Sequence, residues 1–189
     1  MIVEGNRIIR KTNGFSVMEV NDFNDSLLEK IAKLYCEIWK EPPWNEDNWT
    51  IEGVKNDVLS QAKNYNSVFL IALKGEEVVG FTWGYEVGRD SASQMCGGDH
   101  FSRYFKNCQG IFYIDELGIS AKCRIKGLGK LLSLICLERA RKKGISVSFL
   151  RTSVNAGAAR CLYKKIGFKD LSLPDPIYKD RTYWVKEDI

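Results

Sequence analysis

Residues Arg124, Ile125, Lys126, Gly127, Leu128, Gly129 and Lys130 stand between an apolar run at 111–119 and an amphipathic stretch that begins near Gly127 and ends near Lys143. The run at 111–119 is rich in β-branched and aromatic residues and predicts a strand. Downstream, Leu128, Leu131, Leu132, Ile135 and Cys136 recur at helical spacing. The basic residues Arg139, Arg141, Lys142 and Lys143, followed by Gly144, mark the end of that helix. A strand that feeds a helix through so short a turn aims the unpaired first amides, and the positive end of the helix dipole, at whatever lies in front. An anion is suited to that position. Gly127 and Gly129 have no Cβ, so a phosphate can approach the backbone closely, and Arg124 and Lys130 can add charge-assisted contacts. Two phosphate-loop patterns do not match. Leu131 stands where a Walker A loop needs Ser or Thr, and Arg124 stands where it needs its first glycine; the G-x-G-x-x-G dinucleotide pattern is absent.

The rest of the chain predicts elements around this junction. Residues 15–20 alternate as a strand, and Ser26 with Glu29 reads as a capping box. The helix that follows carries Leu27, Ile31, Leu34, Tyr35 and Ile38, and Pro42-Pro43 stops it. A second helix is expected at 51–62. Residues 68–73 and 78–87 read as a hairpin joined by Lys74-Gly75-Glu76-Glu77. A strand at 145–154, a short helix at 156–166 closed by Gly167, and a strand at 182–185 complete the order βααβββαβαβ, give or take a strand near Phe168. That order describes a mixed sheet with helices on both faces, an α/β (α+β) chain forming one domain over 1–189. The segment 89–109 mixes Gly, Ser, Asn, Cys and aromatics without a period. It is either an acceptor-binding insertion or a surface excursion with a short helix around 101–105.

Composition narrows the chemistry. The 28 basic and 24 acidic residues leave a small, dispersed surplus, which argues against nucleic acid and still suits an anionic small ligand. The six cysteines form no C-x-x-C pair and there is one histidine, His100, so neither zinc nor a disulfide framework is expected. No apolar run approaches a membrane span and the first residues lack a signal-peptide core, so a cytoplasmic protein is expected.

Three segments together resemble the GNAT superfamily of acetyl-coenzyme A-dependent N-acetyltransferases. Arg124 to Gly129 fits its R/Q-x-x-G-x-G/A signature. Tyr113-Ile114-Asp115-Glu116-Leu117-Gly118-Ile119 is similar to its central strand. Asn155 to Phe168, with Tyr163-Lys164-Lys165-Ile166-Gly167-Phe168 at its end, is similar to N-x-x-A-x-x-L-Y-x-K-x-G-F. The resemblance covers the chain from Val68 onward. It implies a mostly antiparallel central sheet of about six or seven strands flanked by about four helices, with two strands splayed at the cofactor site. It also implies acetyl-coenzyme A as acyl donor, with no metal. The pyrophosphate would lie on the amides of 124–130, and pantetheine would pair with the backbone of Leu117, Gly118 and Ile119.

The same resemblance implies that Asn155 contacts the cofactor, beside its reading as a helix N-cap. Tyr163, otherwise a core residue with a directed hydroxyl, would protonate the leaving thiolate. The acceptor must lose a proton. Asp115 and Glu116 are adjacent candidates, and regular strand alternation lets only one of them face the cleft. Family consensus favours Glu116, alternation from the cleft end favours Asp115, and solvent is a third base. His100 reads as a solvated loop residue and Cys161 lacks partners for covalent catalysis. Trp39, Trp44, Trp49, Phe81 and Trp83 either wall the acceptor site or pack the core. Acidic residues at 90–99, Asp175 and Asp180 either draw a cationic acceptor or are solvated charge.

The expected activity is direct acetyl transfer to a primary amine, from an aminoglycoside, a polyamine-like metabolite, an amino acid or a protein. A homodimer through sheet edges is compatible with the resemblance. The alternative is an acyl-coenzyme A-binding sensor without the acid and base. A weaker third reading, RNA binding through 139–143, would demand strongly salt-dependent retention.

Overall fold

The computed structural model describes residues 5–12, 14–98, 104, 108, 110–124 and 127–189. Its strands form one eight-stranded sheet in the order β1-β2-β3-β4-β5-β6-β8-β7. In chain order the elements are β1 (Arg7–Thr12), β2 (Phe15–Glu19), α1 (Asp25–Trp39), α2 (Ile51–Ala62), β3 (Val68–Lys74), β4 (Glu77–Val87), α3 (Arg89–Met95) and β5 (Ile111–Ile119). A 3-10 turn at Ala121–Cys123 leads to α4 (Leu128–Lys142), β6 (Val147–Ser153), α5 (Gly157–Lys165), β7 (Lys169–Pro174) and β8 (Arg181–Glu187). All pairings are antiparallel except β5 with β6.

The sequence-predicted order holds, with additions. β1 and β7 are edge strands, half exposed and short of apolar alternation, and α3 occupies the start of the 89–109 segment. The side chain that caps α1 is Asn24, accepting from Leu27 N at 2.9 Å, rather than Ser26. Asn24 lies one turn ahead of the apolar stripe and has the extended backbone an N-cap needs. His100 and most of the short helix expected at 101–105 lie outside the described residues. All six cysteines are free thiols. Among the described residues no helix is long and apolar enough to cross a membrane.

The sheet buries both faces. On one, Phe112 and Ile114 of β5 pack with Leu128, Leu132, Ile135 and Cys136 of α4 and Tyr163 of α5. On the other, Ile31 and Tyr35 of α1 and Val54 and Val58 of α2 cover Phe81 and Trp83 of β4. Farther along that same face, Tyr85 joins Tyr113, Phe149 and Tyr183. Trp39, Phe81 and Trp83 are therefore core residues, with Tyr35 stacked on both Trp39 and Phe81.

Candidate functional site

The parallel ladder between β5 and β6 is short. Ile111 pairs with Val147, Phe112 with Ser148 and Tyr113 with Phe149, and there it ends. Beyond it β5 stays bonded to β4 as far as Ile119, while β6 stays bonded to β8 through Ser153. The strands part, and backbone groups that would have crossed between them face a gap. Such groups demand a hydrogen-bonding guest or water.

At the wide end of that gap stands the start of α4. Gly127 caps the helix in the left-handed conformation, φ 78°, which a residue with a side chain enters only at a cost. No side chain caps the helix and its first turn carries no acidic residue. The first helical bond joins Leu131 N to Gly127 O, so the amides of Leu128, Gly129 and Lys130 lack helical acceptors. Among the described residues a Cβ at Gly127 would meet nothing within 4 Å. At Gly129 a Cβ would touch Leu162 at 3.4 Å, which makes this glycine partly a packing residue. Lys130 is exposed.

Arg124 has partners within the chain. Its Nε donates to the Ile119 carbonyl at 3.1 Å and its Nη1 pairs with Glu41 at 2.5 Å, so it anchors the loop to the end of β5 and to the residues after α1. Ile125 and Lys126 lie outside the described residues. Leu117 packs on the α4 side, and Gly118 is required where it is because a Cβ there would run into the Phe81 ring and Ile38.

The acidic pair departs from regular alternation. Ile114 pairs with Gly84 and Glu116 with Trp83, which leaves Asp115 as the extra residue of a β-bulge. Across the bulge the side-chain alternation resets. Tyr113 and Asp115 point to the α1/α2 face before it, and Glu116 and Gly118 point to the same face after it. The expectation that only one carboxyl could turn to this side is thus corrected: both turn to it, with Asp115 alone lining the cleft described below. Gly84 makes the bulge sterically feasible, since a Cβ there would strike Phe112 and the Tyr113 carbonyl. A glycine inside an apolar strand was the sequence signal for it.

Each carboxyl is held by a tyrosine that sequence reasoning did not single out for the site. The Tyr35 hydroxyl donates to Glu116 Oε1 at 2.9 Å, and the Tyr85 hydroxyl to Asp115 Oδ2 at 3.2 Å. Burial drives the Glu116 carboxyl well above the ordinary glutamate range, and the neighbouring Asp115 charge adds to this. Burial likewise lifts Asp115 to about 6, the Tyr85 bond and Arg151 opposing and the Asp57 charge assisting. A carboxyl that titrates there can take or release a proton near neutrality.

Tyr163 sits on α5, buried among Phe168 and Trp184. Burial pushes the Tyr163 hydroxyl above the ordinary tyrosine range, and the Glu116 charge adds to the rise. Asn155 is not the N-cap of α5. Ala156 takes that position, and the exposed Asn155 uses only backbone groups, its N–H meeting Ser153 Oγ and its carbonyl Gly157 N. Its side chain is left available to a ligand.

Beside Asp115 opens a cleft of about 350 Å³, lined by Tyr85, Tyr113, Arg151, Asp175 and, from α3, Gln94 and Met95. Asp175 does not act as a loose attractor of cations. It is buried, and although burial opposes ionisation, bonds from the Tyr178 and Ile177 amides, the Tyr183 hydroxyl and Arg151 hold its carboxyl down at about 2.

Comparison with known proteins agrees with this geometry. The profile of the acetyltransferase (GNAT) family matches residues 28–168. No curated protein matches the sequence significantly. Among solved structures the fold is similar to the PaiA N-acetyltransferase of Thermoplasma acidophilum in complex with coenzyme A, at 17% identity, TM-score 0.64, covering 91% of this chain and 99% of that one. It is similar also to yncA of Salmonella typhimurium with its cofactor acetyl-CoA, at 14% identity and TM-score 0.67, with coverages of 93% and 94%. The aminoglycoside 6'-acetyltransferase type Ii is a third, at 17% identity and TM-score 0.64, with coverages of 92% and 97%.

Proposed function

The chain belongs to the acetyltransferase (GNAT) family, and from that membership we propose that it transfers an acetyl group from acetyl-coenzyme A directly to a primary amine, with both substrates bound at once. The observation that carries this reading is the parting of β5 and β6 after Tyr113 and Phe149, next to the uncapped start of α4. The residues present fit the donor: free amides of Leu128, Gly129 and Lys130 for its diphosphate, and the edge of β5 that β6 no longer covers, beside Leu117 and Gly118, for its amide-bearing arm. When bound, acetyl-coenzyme A supplies an electrophilic thioester carbonyl and a thiol leaving group.

The protein's share is placement and proton handling. Asp115 lines the cleft and titrates near neutrality, so it takes the proton that the acceptor ammonium must lose. The freed nitrogen forms a bond to the thioester carbon as the carbon–sulfur bond breaks, and the Tyr163 hydroxyl donates its proton to the departing sulfur. Glu116 keeps its proton to higher pH than an ordinary glutamate and lies behind Asp115 as a second relay position. Holding amine and carbonyl in line contributes the larger share of rate.

The test is thiol release from acetyl-coenzyme A across a panel of amines, with Tyr163→Phe and Asp115→Asn beside the wild type. Amine-dependent release that both variants reduce supports the reading. Tight coenzyme A binding with no release for any amine would leave a binding module instead.

A further inference from the structure

The hydrogen-bonding capacity left unspent in the cleft defines the kind of acceptor it can take. Asp175 has little left. Its Oδ1 accepts the Ile177 and Tyr178 amides at 2.8 and 2.7 Å, and its Oδ2 accepts Arg151 Nη1 and the Tyr183 hydroxyl at 2.7 and 2.6 Å. A carboxylate offers about four acceptor sites; the two amides and Arg151 fill three, and the Tyr183 hydroxyl, which shares its one proton with the Met95 carbonyl at 2.6 Å, covers the fourth. Arg151 is the reverse case. Among the described residues only Nη1 of its N–H donors is spent, on Asp175, and its side chain remains 28% exposed where it lines the cleft. The Tyr178 ring lies against the guanidinium at 5.1 Å and orients it. A saturated, buried anion thus holds a cation whose remaining fork faces the opening. Such a fork is matched to a carboxylate.

Asp115 also borders this cleft, with Tyr85 on Oδ2 and Tyr113 close enough to add a bond. It retains capacity for an ammonium. Arg151 lies near enough to Asp115 for its charge to be felt there. The cleft therefore offers one place for a cation and one for an anion, on the same face of the sheet.

We propose that the acceptor is a small amino-acid-like molecule, its ammonium received by Asp115 and its carboxylate by Arg151. This rests on the acetyl-transfer reading above and names its substrate class. A polycationic amine would bring a second positive charge against Arg151, with the nearest carboxylate, Asp175, already fully engaged. A carboxylate-bearing amine meets the Asp115 carboxyl and the open donors of Arg151 at once.

Calorimetric titration of the protein saturated with coenzyme A tests this without turnover. The probes are glycine, β-alanine and γ-aminobutyrate, the corresponding amides, and putrescine. At least one acid should bind about tenfold or more tightly than its own amide and than putrescine, the value of one charge-assisted pair. The double variant Arg151→Gln/Asp175→Asn removes the cation together with the anion buried beside it and should erase that preference, its fold checked by circular dichroism and melting temperature. Arg151→Lys should keep part of it. Amides that bind as well as the acids, a preference for putrescine, no heat from any probe, or a preference surviving in the double variant would each overturn the assignment. Acids that bind selectively yet release no thiol from acetyl-coenzyme A would sink the transfer reading and leave the cleft's selectivity standing.

Discussion

The hydroxyl of Tyr35 on α1 donates to Oε1 of Glu116 on β5 at 2.9 Å, tying the helical layer to the strand at the point where that strand is bulged. The tie has consequences on both sides. Glu116 is kept beneath the sheet face, and Asp115, one residue earlier, is left to border the cleft. Burial and the neighbouring carboxylates raise the Tyr35 hydroxyl far above its ordinary range, so it remains a donor at any working pH.

Asp115 should set the acidic limb of the pH–rate profile. A base must be deprotonated, so kcat/KM should fall as pH drops through about 6. Asp115→Asn should remove that limb and lower kcat by about 10²–10⁴-fold. A limb that survives unchanged in the variant would assign the proton to another group.

The same variant should be more stable than wild type at pH 7. Folding raises the Asp115 carboxyl from 3.8 to about 6, so between these values the folded state binds a proton that the unfolded state has lost. Stability therefore declines as pH rises through that window. Removing the charge should recover on the order of 1–2 kcal/mol after allowance for partial exposure. Chemical denaturation of wild type and variant at pH 4 and pH 7 checks this, the gap appearing only at the higher pH.

Two neighbours should move the acidic limb in opposite directions. The Tyr85 hydroxyl stabilises the ionised form of Asp115 and the Asp57 charge opposes it. Tyr85→Phe should shift the limb to higher pH and Asp57→Asn to lower pH, at nearly constant KM for acetyl-coenzyme A. Shifts of the same sign would show that the limb does not belong to Asp115.

Tyr163→Phe keeps the ring against Phe168 and Trp184 and deletes only the hydroxyl. The melting temperature and coenzyme A affinity should change little, and kcat should drop by roughly 10²-fold or more. A variant as fast as wild type would reduce Tyr163 to packing.

Gly127→Ala puts a side chain into a left-handed position at the helix start. The expected cost is about 1 kcal/mol of stability, with weaker coenzyme A binding because the loop must relax away from the diphosphate. Unchanged affinity by calorimetry would place the diphosphate elsewhere.

Linear order settled much of this protein. The apolar run at 111–119, the glycine pair before the α4 stripe and the Asn155 to Phe168 segment are local patterns, and local patterns survive in sequence because backbone period and steric freedom act over a few residues. Thus α2, β5 and α4, and the positions of Gly127 and Tyr163, were legible in advance. The edge strand β1 was not, because a half-exposed strand need not alternate, and β7 was foreseen only as an optional strand near Phe168. Pairing between distant elements was hidden as well. That Asp115 is the unpaired residue of a bulge depends on β4 lying alongside with Gly84 opposite, and that Tyr35 serves Glu116 depends on α1 crossing that face. Likewise, Arg151 keeps free donors only because the β7–β8 loop folds back to saturate Asp175. Such relations join residues far apart along the chain, so only the packed fold decides which side chains share a cleft and which of their hydrogen bonds are already taken.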